Sequence, residues 1–365
     1  MLKNKNLIMI FREIKVGELV DFVNTVFYKN ANIVPITPQR AISQANNPYA
    51  QPNDVALVLA LNNKEEIIGF IGILPGKTML TDERFFWNTC WWIDPEKGKI
   101  AAMPLFYSML KITKSNLIFF DLTPHTASIV AKMGFMTNSI TGTKVFLRFN
   151  LNQILPKKYA FLAILKPILK FFDSCLNTMF AKKSAKKELN YQVIKCFDAS
   201  MEVFLSKFKP TMLTPFDNTF FTWISNYSWL TTQPNEFETA IAKKYYFSYI
   251  TQSFVVELLK ITHQNEFIGI VVVTCRDSEM KIPYCFFDDN ATEKVLEAIF
   301  NYAYNKKITT ITTFHPKIKE QLKLKKNTVL FTKQLVKHVG YPKQFETLGI
   351  TNKLFQDGEG DAVFT

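Results

Sequence analysis

At 365 residues, 48% hydrophobic and with 34 Phe, the chain has room for two cores and is excluded from the disordered and low-complexity classes. Its five cysteines (Cys90, Cys175, Cys196, Cys275, Cys285) are scattered, without a CxxC pair or a His at ligand spacing, which excludes a metal site and points to a reducing cytoplasm. A net charge of +13 and a pI near 9.3 favour anionic partners such as CoA, nucleotide-sugars or lipid phosphates, yet the lysines carry no nucleic-acid motif, so nucleic-acid binding is set aside.

The basic start Met1–Asn6 precedes an apolar run, Leu7–Phe11, too short for a signal peptide. A short strand (Ile8–Ile14) and an amphipathic helix (Gly17–Phe27) follow. Val55–Leu61, the polar turn Asn62-Asn63-Lys64 and Glu66–Ile71 then read as a hairpin. Aromatic and β-branched residues fill Phe85–Ile93, Asp94-Pro95 breaks that strand, and a small-residue helix start at Ile100-Ala101-Ala102 opens a helix over Lys99–Lys114. Leu117–Leu122 is an apolar strand apart from Asp121, as expected of a strand buried on both faces, and a short helix ends at Gly134-Phe135. A strand feeding a helix start presents unpaired backbone amides and a positive dipole end, a setting suited to pyrophosphate.

Leu155–Leu189 separates two halves. Phe161, Ile164, Leu165, Ile168, Leu169, Phe172, Leu176, Met179 and Phe180 recur at three- and four-residue spacing, giving one wide apolar face. Lys166, Lys170 and Asp173 interrupt the run, so it does not span a membrane, and Pro167 is expected to break or kink it. Two readings stand: a linker helix packing across both domains, or an in-plane helix whose flanking lysines, Lys157-Lys158, Lys182-Lys183 and Lys186-Lys187, meet anionic headgroups.

The second half repeats the first. Glu66–Ile71 reappears as Glu266–Val271 behind the strand Phe254–Ile261 and the turn Thr262–Asn265, and Cys90-Trp91-Trp92-Ile93-Asp94 is echoed by Cys285-Phe286-Phe287-Asp288. Helix, strand and turn follow each, Glu293–Asn305 and Thr309–Pro316 in the second half, which also opens with a strand (Tyr191–Phe197) and a helix (Met201–Phe208). Repeated units of this size indicate duplicated domains. The second copy has Asp288-Asp289, read as helix caps, where an anion-binding loop would stand, so it is expected to be an acceptor-binding or structural partner. A final strand, Ala362-Val363-Phe364, is expected to pack back onto the domain.

The run Phe85–Phe135 resembles the acyl-CoA-binding core of the GNAT (general N-acetyltransferase) superfamily. In that family the loop between the fourth strand and third helix holds the CoA pyrophosphate, and a Gly-Phe pair closes the fourth helix. The family's Arg/Gln-x-x-Gly-x-Gly/Ala pattern meets Lys97-Gly98-Lys99-Ile100-Ala101-Ala102 here, with Lys97 for Arg/Gln, Ile100 for the central glycine and Ala102 at the last position. Val130 stands where the family often has a tyrosine acid. The resemblance implies acetyl-CoA or another acyl-CoA as substrate, its pyrophosphate on Lys97, Gly98, Lys99, Ile100, Ala101 and Ala102 and its thioester beside Trp91, Trp92 and Ile93. It also implies direct attack by an amine such as an amino sugar. His125, at the start of the following helix, is the titratable group best suited to accept a proton near neutral pH, and Asp121 either faces the cleft or is paired.

The expected architecture is therefore an α/β protein (mixed α+β sheets) of two tandem GNAT-like domains: residues 1–152 with the fuller acyl-CoA loop, an amphipathic basic linker 153–189, a degenerate second domain 190–340, and a tail 341–365. The expected activity is acyl-CoA-dependent acyl transfer in the cytoplasm, with peripheral contact at the inner membrane face through 155–189. The alternatives are a non-catalytic scaffold and an aminoacyl-tRNA-dependent transferase resembling the peptidoglycan-bridge enzymes.

Overall fold

A computed structural model describes residues 9–179, 190–247, 249–325 and 328–364. The first half runs β1 (Ile10–Lys15), α1 (Leu19–Phe22), α2 (Val26–Asn30), α3 (Pro38–Ala45), β2 (Val55–Leu61), β3 (Ile67–Gly76), β4 (Phe85–Ile93), α4 (Ala102–Thr113), β5 (Leu117–Leu122), α5 (Pro124–Lys132) and β6 (Phe135–Phe146). α6 (Leu151–Lys158) and α7 (Lys166–Met179) follow. The second half comprises β7 (Asn190–Ile194), α8 (Ala199–Ser206), α9 (Asn218–Asn226), α10 (Glu236–Lys244), β8 (Phe254–His263), β9 (Glu266–Arg276), β10 (Glu279–Phe287), α11 (Thr292–Asn305), β11 (Thr310–Thr313), α12 (Pro316–Leu324), β12 (Phe331–Pro342) and α13 (Gln344–Thr347). The element order of the two halves matches strand for strand.

The chain gathers into two compact units that cut across this repeat. Unit 1 holds the residues up to Ile140, Cys196–Phe254 and Lys337–Thr365, and unit 2 holds Thr141–Lys195 and Val255–Val336. In unit 1 the strand order is β1-β2-β3-β4-β5-β12; β4 and β5 are parallel, and β1–β2, β2–β3, β3–β4 and β5–β12 are antiparallel. In unit 2 the order is β6-β11-β10-β9-β8-β7, with β10 and β11 parallel. Each half thus lends the second part of its last strand, Thr141–Phe146 of β6 and Lys337–Pro342 of β12, to the other unit. His338 and Gly340 of β12 pair with Leu122 and Phe119 of β5, while Thr143–Phe146 of β6 pair with β11.

Strand alternation fixes what each face of unit 1 buries. Val58, Ile71, Phe86 and Phe119 point to the α4–α5 side and pack with Leu105, Phe106 and Met109. Leu57, Leu59, Phe70 and Cys90 point to the other side, against Leu19, Phe22, Tyr28 and Ile36. Unit 2 has its own core, in which Val295, Ile299 and Tyr302 of α11 meet Val271, Val273 and Cys285.

Several sequence expectations are corrected. The single helix expected over Gly17–Phe27 is broken between α1 and α2, because the Thr25 hydroxyl caps the amide of Tyr28 at 3.2 Å and donates to the Phe22 carbonyl at 2.7 Å. Of the break or kink expected at Pro167 the structure has the break: the run divides into a 3-10 stretch, Ala160–Leu165, and α7, in whose first turn Pro167 sits, where its missing N–H costs nothing. The turn expected at Thr262–Asn265 is tighter, with β8 running through His263 and Gln264 and Asn265 turning at positive φ. Ala362–Phe364 is a buried 3-10 turn rather than a strand. Asp288 precedes its helix without a side-chain cap bond, and Asp289 is paired with Lys317. Phe180, Lys182, Lys183, Lys186 and Lys187 of the linker fall outside the described residues.

Candidate functional site

The feature of unit 1 most open to chemistry is the middle of β4. Its parallel pairing with β5 covers only Phe86↔Leu117, Trp87↔Ile118 and Asn88↔Phe119. Against β3 the register slips by one at the same place, Gly72 facing Cys90 and Ile73 facing Asn88, so Thr89 is the extra residue of a β-bulge. The Asn88 amide pins the bulge by donating to the carbonyls of Gly72 (3.1 Å) and Cys90 (3.2 Å). Thr89 and Cys90 consequently point to one side, and a Cβ on Gly72 would lie 2.6 Å from both the Thr89 hydroxyl and the Cys90 sulfur. Only glycine fits opposite the bulge.

Arg40 of α3 meets this bulge. Its guanidinium is buried, donates to the Thr89 hydroxyl and to Tyr245 Oη (3.1 Å), lies 4.0 Å from the Trp229 ring centre and 4.0 Å from the Asp361 carboxylate, and leaves Nε enclosed without a protein partner. Asp361 arrives on the C-terminal segment, which is anchored by Phe364 against Trp229 (ring centres 4.7 Å apart) and Trp223 (4.8 Å). Burial pushes the Asp361 carboxyl up to about 6, against the opposing pull of Arg40 and Lys337. Its side chain remains 27% exposed, so an edge of this crowded carboxylate reaches solvent.

Lys337 of β12 carries the charge network outward. Its ammonium sits 2.8 Å from the buried Asp357 and 3.3 Å from Asp121, and lies over the Phe120 ring at 5.0 Å. Burial works against its charge, but the two carboxylates prevail and raise its pKa above the ordinary lysine value. Asp121 is exposed at the end of β5 and holds a left-handed backbone, φ 60°, an uncommon conformation for a non-glycine residue. The expectation that Asp121 is either cleft-facing or paired thus meets a paired and solvent-facing carboxylate.

The loop after β4 is folded tightly on itself. The Asp94 carboxylate accepts the amides of Glu96 and Lys97, both at 2.8 Å, its carbonyl accepts the amide of Gly98 at 2.9 Å, and the amide of Ala101 bonds Gly98 at 2.7 Å. Lys97 pairs with Glu66 at 3.3 Å, while Lys99 and Ile100, the first residues of a 3-10 turn leading into α4, are exposed. A Cβ on Gly98 would lie 2.1 Å from the Ile68 carbonyl. Gly98→Val is therefore expected to cost about 3 kcal/mol or more, since fixed backbone must move to admit it. Urea unfolding followed by tryptophan fluorescence checks this, and a loss below 1 kcal/mol on the order of a surface change would refute it.

Trp91 stacks on Phe106 (5.4 Å) on the α4 side, with its indole nitrogen enclosed and unpartnered, and Trp92 stacks on Phe70 (5.4 Å) on the opposite side. Ile93 pairs across from Gly69 and is partly buried. Trp92, Asp94 and Lys97 line a cavity of about 580 Å³ beside α2. His125 is exposed in the first turn of α5, and among the described residues no hydrogen bond or ion pair involves its side chain. In unit 2, His315 at the head of α12 packs on Phe287 (4.9 Å), and burial, with Lys317 adding to it, lowers it to about 4. No group of side chains suited to a metal occurs among the described residues.

Sequence reasoning missed Arg40, Thr89, Tyr245, Lys337 and Asp361. Cys90 was legible as a buried thiol, which it is. The available signals were an arginine on the inward side of a helix opening Thr37-Pro38 and an acidic segment ending in apolar residues.

Neither family models nor curated proteins match the chain. Solved structures do. A conserved Enterococcus faecalis V583 protein described as a probable N-acyltransferase is 10% identical, with a TM-score of 0.52 over 94% of this chain and 74% of that one. Saccharomyces cerevisiae N-myristoyltransferase with bound myristoyl-CoA is 10% identical (TM-score 0.49; 93% and 79% covered), and a GCN5-related N-acetyltransferase from Kribbella flavida is 12% identical (0.47; 92% and 70%). The likeness is one of fold: the chain has the mixed α/β fold of the Enterococcus faecalis protein, the GNAT-like fold expected from the sequence.

Proposed function

We propose that the protein is an acyl-CoA-dependent acyltransferase whose chemistry is in unit 1, transferring the acyl group to an amine such as an amino sugar. The observation that supports this most is the bulge in the middle of β4, where pairing to β5 stops and the buried Arg40 meets Asp361. In this reading the thioester lies beside β4 at Trp91, Trp92 and Ile93. The pyrophosphate uses the lysines of Lys97–Ala102 and the amides of Lys99 and Ile100, since those of Lys97, Gly98 and Ala101 are committed within the loop.

The acceptor nitrogen attacks the thioester carbonyl, a C–N bond forms, the C–S bond breaks, and CoA leaves as the thiol after taking a proton. Asp361 is the proton acceptor in this scheme: with a pKa of about 6 it is ionised at neutral pH yet close enough to it to accept a proton. Arg40 orients it. Asp121 and His125 stand on the solvent side, where they can pass the proton out. The setting is the cytoplasm, with peripheral contact at the membrane through 155–189; among the described residues no helix is long and apolar enough to cross a membrane.

Calorimetric titration with acetyl-CoA, longer acyl-CoAs and bare CoA tests the reading, paired with an assay of thiol release. Heat at up to millimolar ligand is expected, and Lys97→Glu with Lys99→Glu should weaken it by about 1–3 kcal/mol, the scale of lost charge-assisted bonds. His125→Ala should lower turnover with unchanged CoA affinity. Absence of heat with every acyl-CoA would leave the non-catalytic scaffold, a reading favoured by the three loop amides already engaged.

A further inference from the structure

α7 of unit 2 is built inside out. Asp173, 5% exposed, accepts the amides of Leu151 (2.7 Å) and Asn152 (2.9 Å) at the start of α6, and one turn later Asn177 accepts the amide of Phe149 (2.8 Å) and donates to its carbonyl (2.9 Å). The polar stripe of the helix therefore faces the protein. Its apolar residues face out: Phe171 is 66% exposed and Met179 79%, and in the preceding 3-10 turn Phe161 is 72% and Ile164 86% exposed. Left in water, each such side chain forgoes about 1.5–3 kcal/mol of burial. Contiguous surface of this kind marks an interaction site.

The charges on this surface indicate what covers it. Over Ala160–Met179 the exposed charged residues are Lys166 and Lys170, and the single carboxylate, Asp173, is turned inward. A covering partner must then be both apolar and anionic. Next to α6 a cavity of about 380 Å³ is lined by Lys144, Arg148 and Lys158 with Glu279, which pairs with Lys144 at 2.7 Å; Arg148 Nε is enclosed there without a protein partner.

We infer that the 3-10 turn and α7 lie on an anionic phospholipid surface, their aromatic and aliphatic side chains among the acyl chains, their lysines in the headgroup layer, and one lipid phosphate in the Arg148 cavity. This deepens the membrane part of the proposed function and is independent of acyl transfer, because vesicle binding needs no turnover.

The full chain, mixed with phosphatidylcholine vesicles with or without phosphatidylglycerol and then floated, tests the inference. Binding is expected to the anionic vesicles and to be released by high salt, which screens headgroup attraction. Phe161→Ser with Ile164→Ser and Phe171→Ser should reduce the bound fraction at least ~10-fold while leaving the thermal melt unchanged, as these side chains contact mostly solvent. Ile164→Glu alone, at the most exposed position, should act in the same direction, and Arg148→Gln should erode the preference for anionic over neutral vesicles. Failure of the unaltered chain to float with anionic vesicles overturns the inference, as does undiminished floating of the serine variant. A dimer in sedimentation velocity that the serine changes dissolve would overturn it too, by assigning the face to a second copy of the chain.

Discussion

Replacing Arg40 by leucine is expected to destabilise unit 1 by about 3–5 kcal/mol, the range for removing one partner of a buried ion pair. The change strands Asp361 and takes away a donor from Thr89 and Tyr245 at once. Asp361→Leu placed on top should recover part of the loss, because an apolar pair of similar volume avoids the desolvation both charges suffer. A double-mutant cycle in urea measures the coupling. All five tryptophans (Trp87, Trp91, Trp92, Trp223 and Trp229) belong to unit 1, so intrinsic fluorescence reports on that unit alone. Equal losses in the single and double variants would show that Arg40 contributes packing rather than pairing. Asp361→Asn separates chemistry from stability: it keeps the shape and is expected to lower kcat by about 10²–10⁴-fold, the range for a lost general base.

The second large effect is a dependence of stability on pH set by Glu359. This residue is 2% exposed, and burial raises its carboxyl to about 8 against the hydrogen bond from the Thr214 hydroxyl at 2.8 Å. In the unfolded chain a glutamate titrates near 4.3. Between those limits the folded protein holds a proton that the unfolded chain has released, so stability falls as pH rises. The contribution is whole below the unfolded value and gone once pH passes through about 8. Asp361, raised to about 6, acts in the same direction over a narrower window that ends lower. Together they are expected to make unit 1 more stable at pH 5 than at pH 8 by on the order of a few kcal/mol. Thermal melts at both pH values check this, and Glu359→Gln should flatten most of the difference. A melt higher at pH 8 than at pH 5 would show that Glu359 is ionised in the folded state.

What the sequence made legible follows from how locally each feature is encoded. β4 and β5 were read to the residue, since Phe85–Ile93 and Leu117–Leu122 are dense in aromatic and β-branched side chains and each ends at a strong break, Asp94-Pro95 or Thr123-Pro124. The repeat was legible because paired hairpins keep their turns. The break at Thr25 was not, because a threonine inside an amphipathic pattern signals a cap only when its hydroxyl finds the amide three residues on. The inward stripe of α7 was hidden for a related reason: periodicity shows that a helix has an apolar face, and only tertiary contacts such as Asp173 to α6 decide which way it turns. The candidate site is assembled from α3, β4, the segment before β8, β12 and the tail. Arg40 lies 49 residues from Thr89 and 205 from Tyr245 along the chain, and no spacing rule spans such separations.

The exchange of final strands between the halves governs how the protein can be made and divided. A gene fragment covering the first half would lack the partner that lines β5 and the carboxylate that faces Arg40, while its own β6 would have nothing to join. During synthesis, at about 5–20 residues per second, β5 waits with an open edge until residue 340 emerges, so this edge is exposed to mispairing for longer than any neighbour in unit 1. Two separately expressed halves should assemble only when mixed, each completing the other, in the manner of an intramolecular domain swap written into one chain.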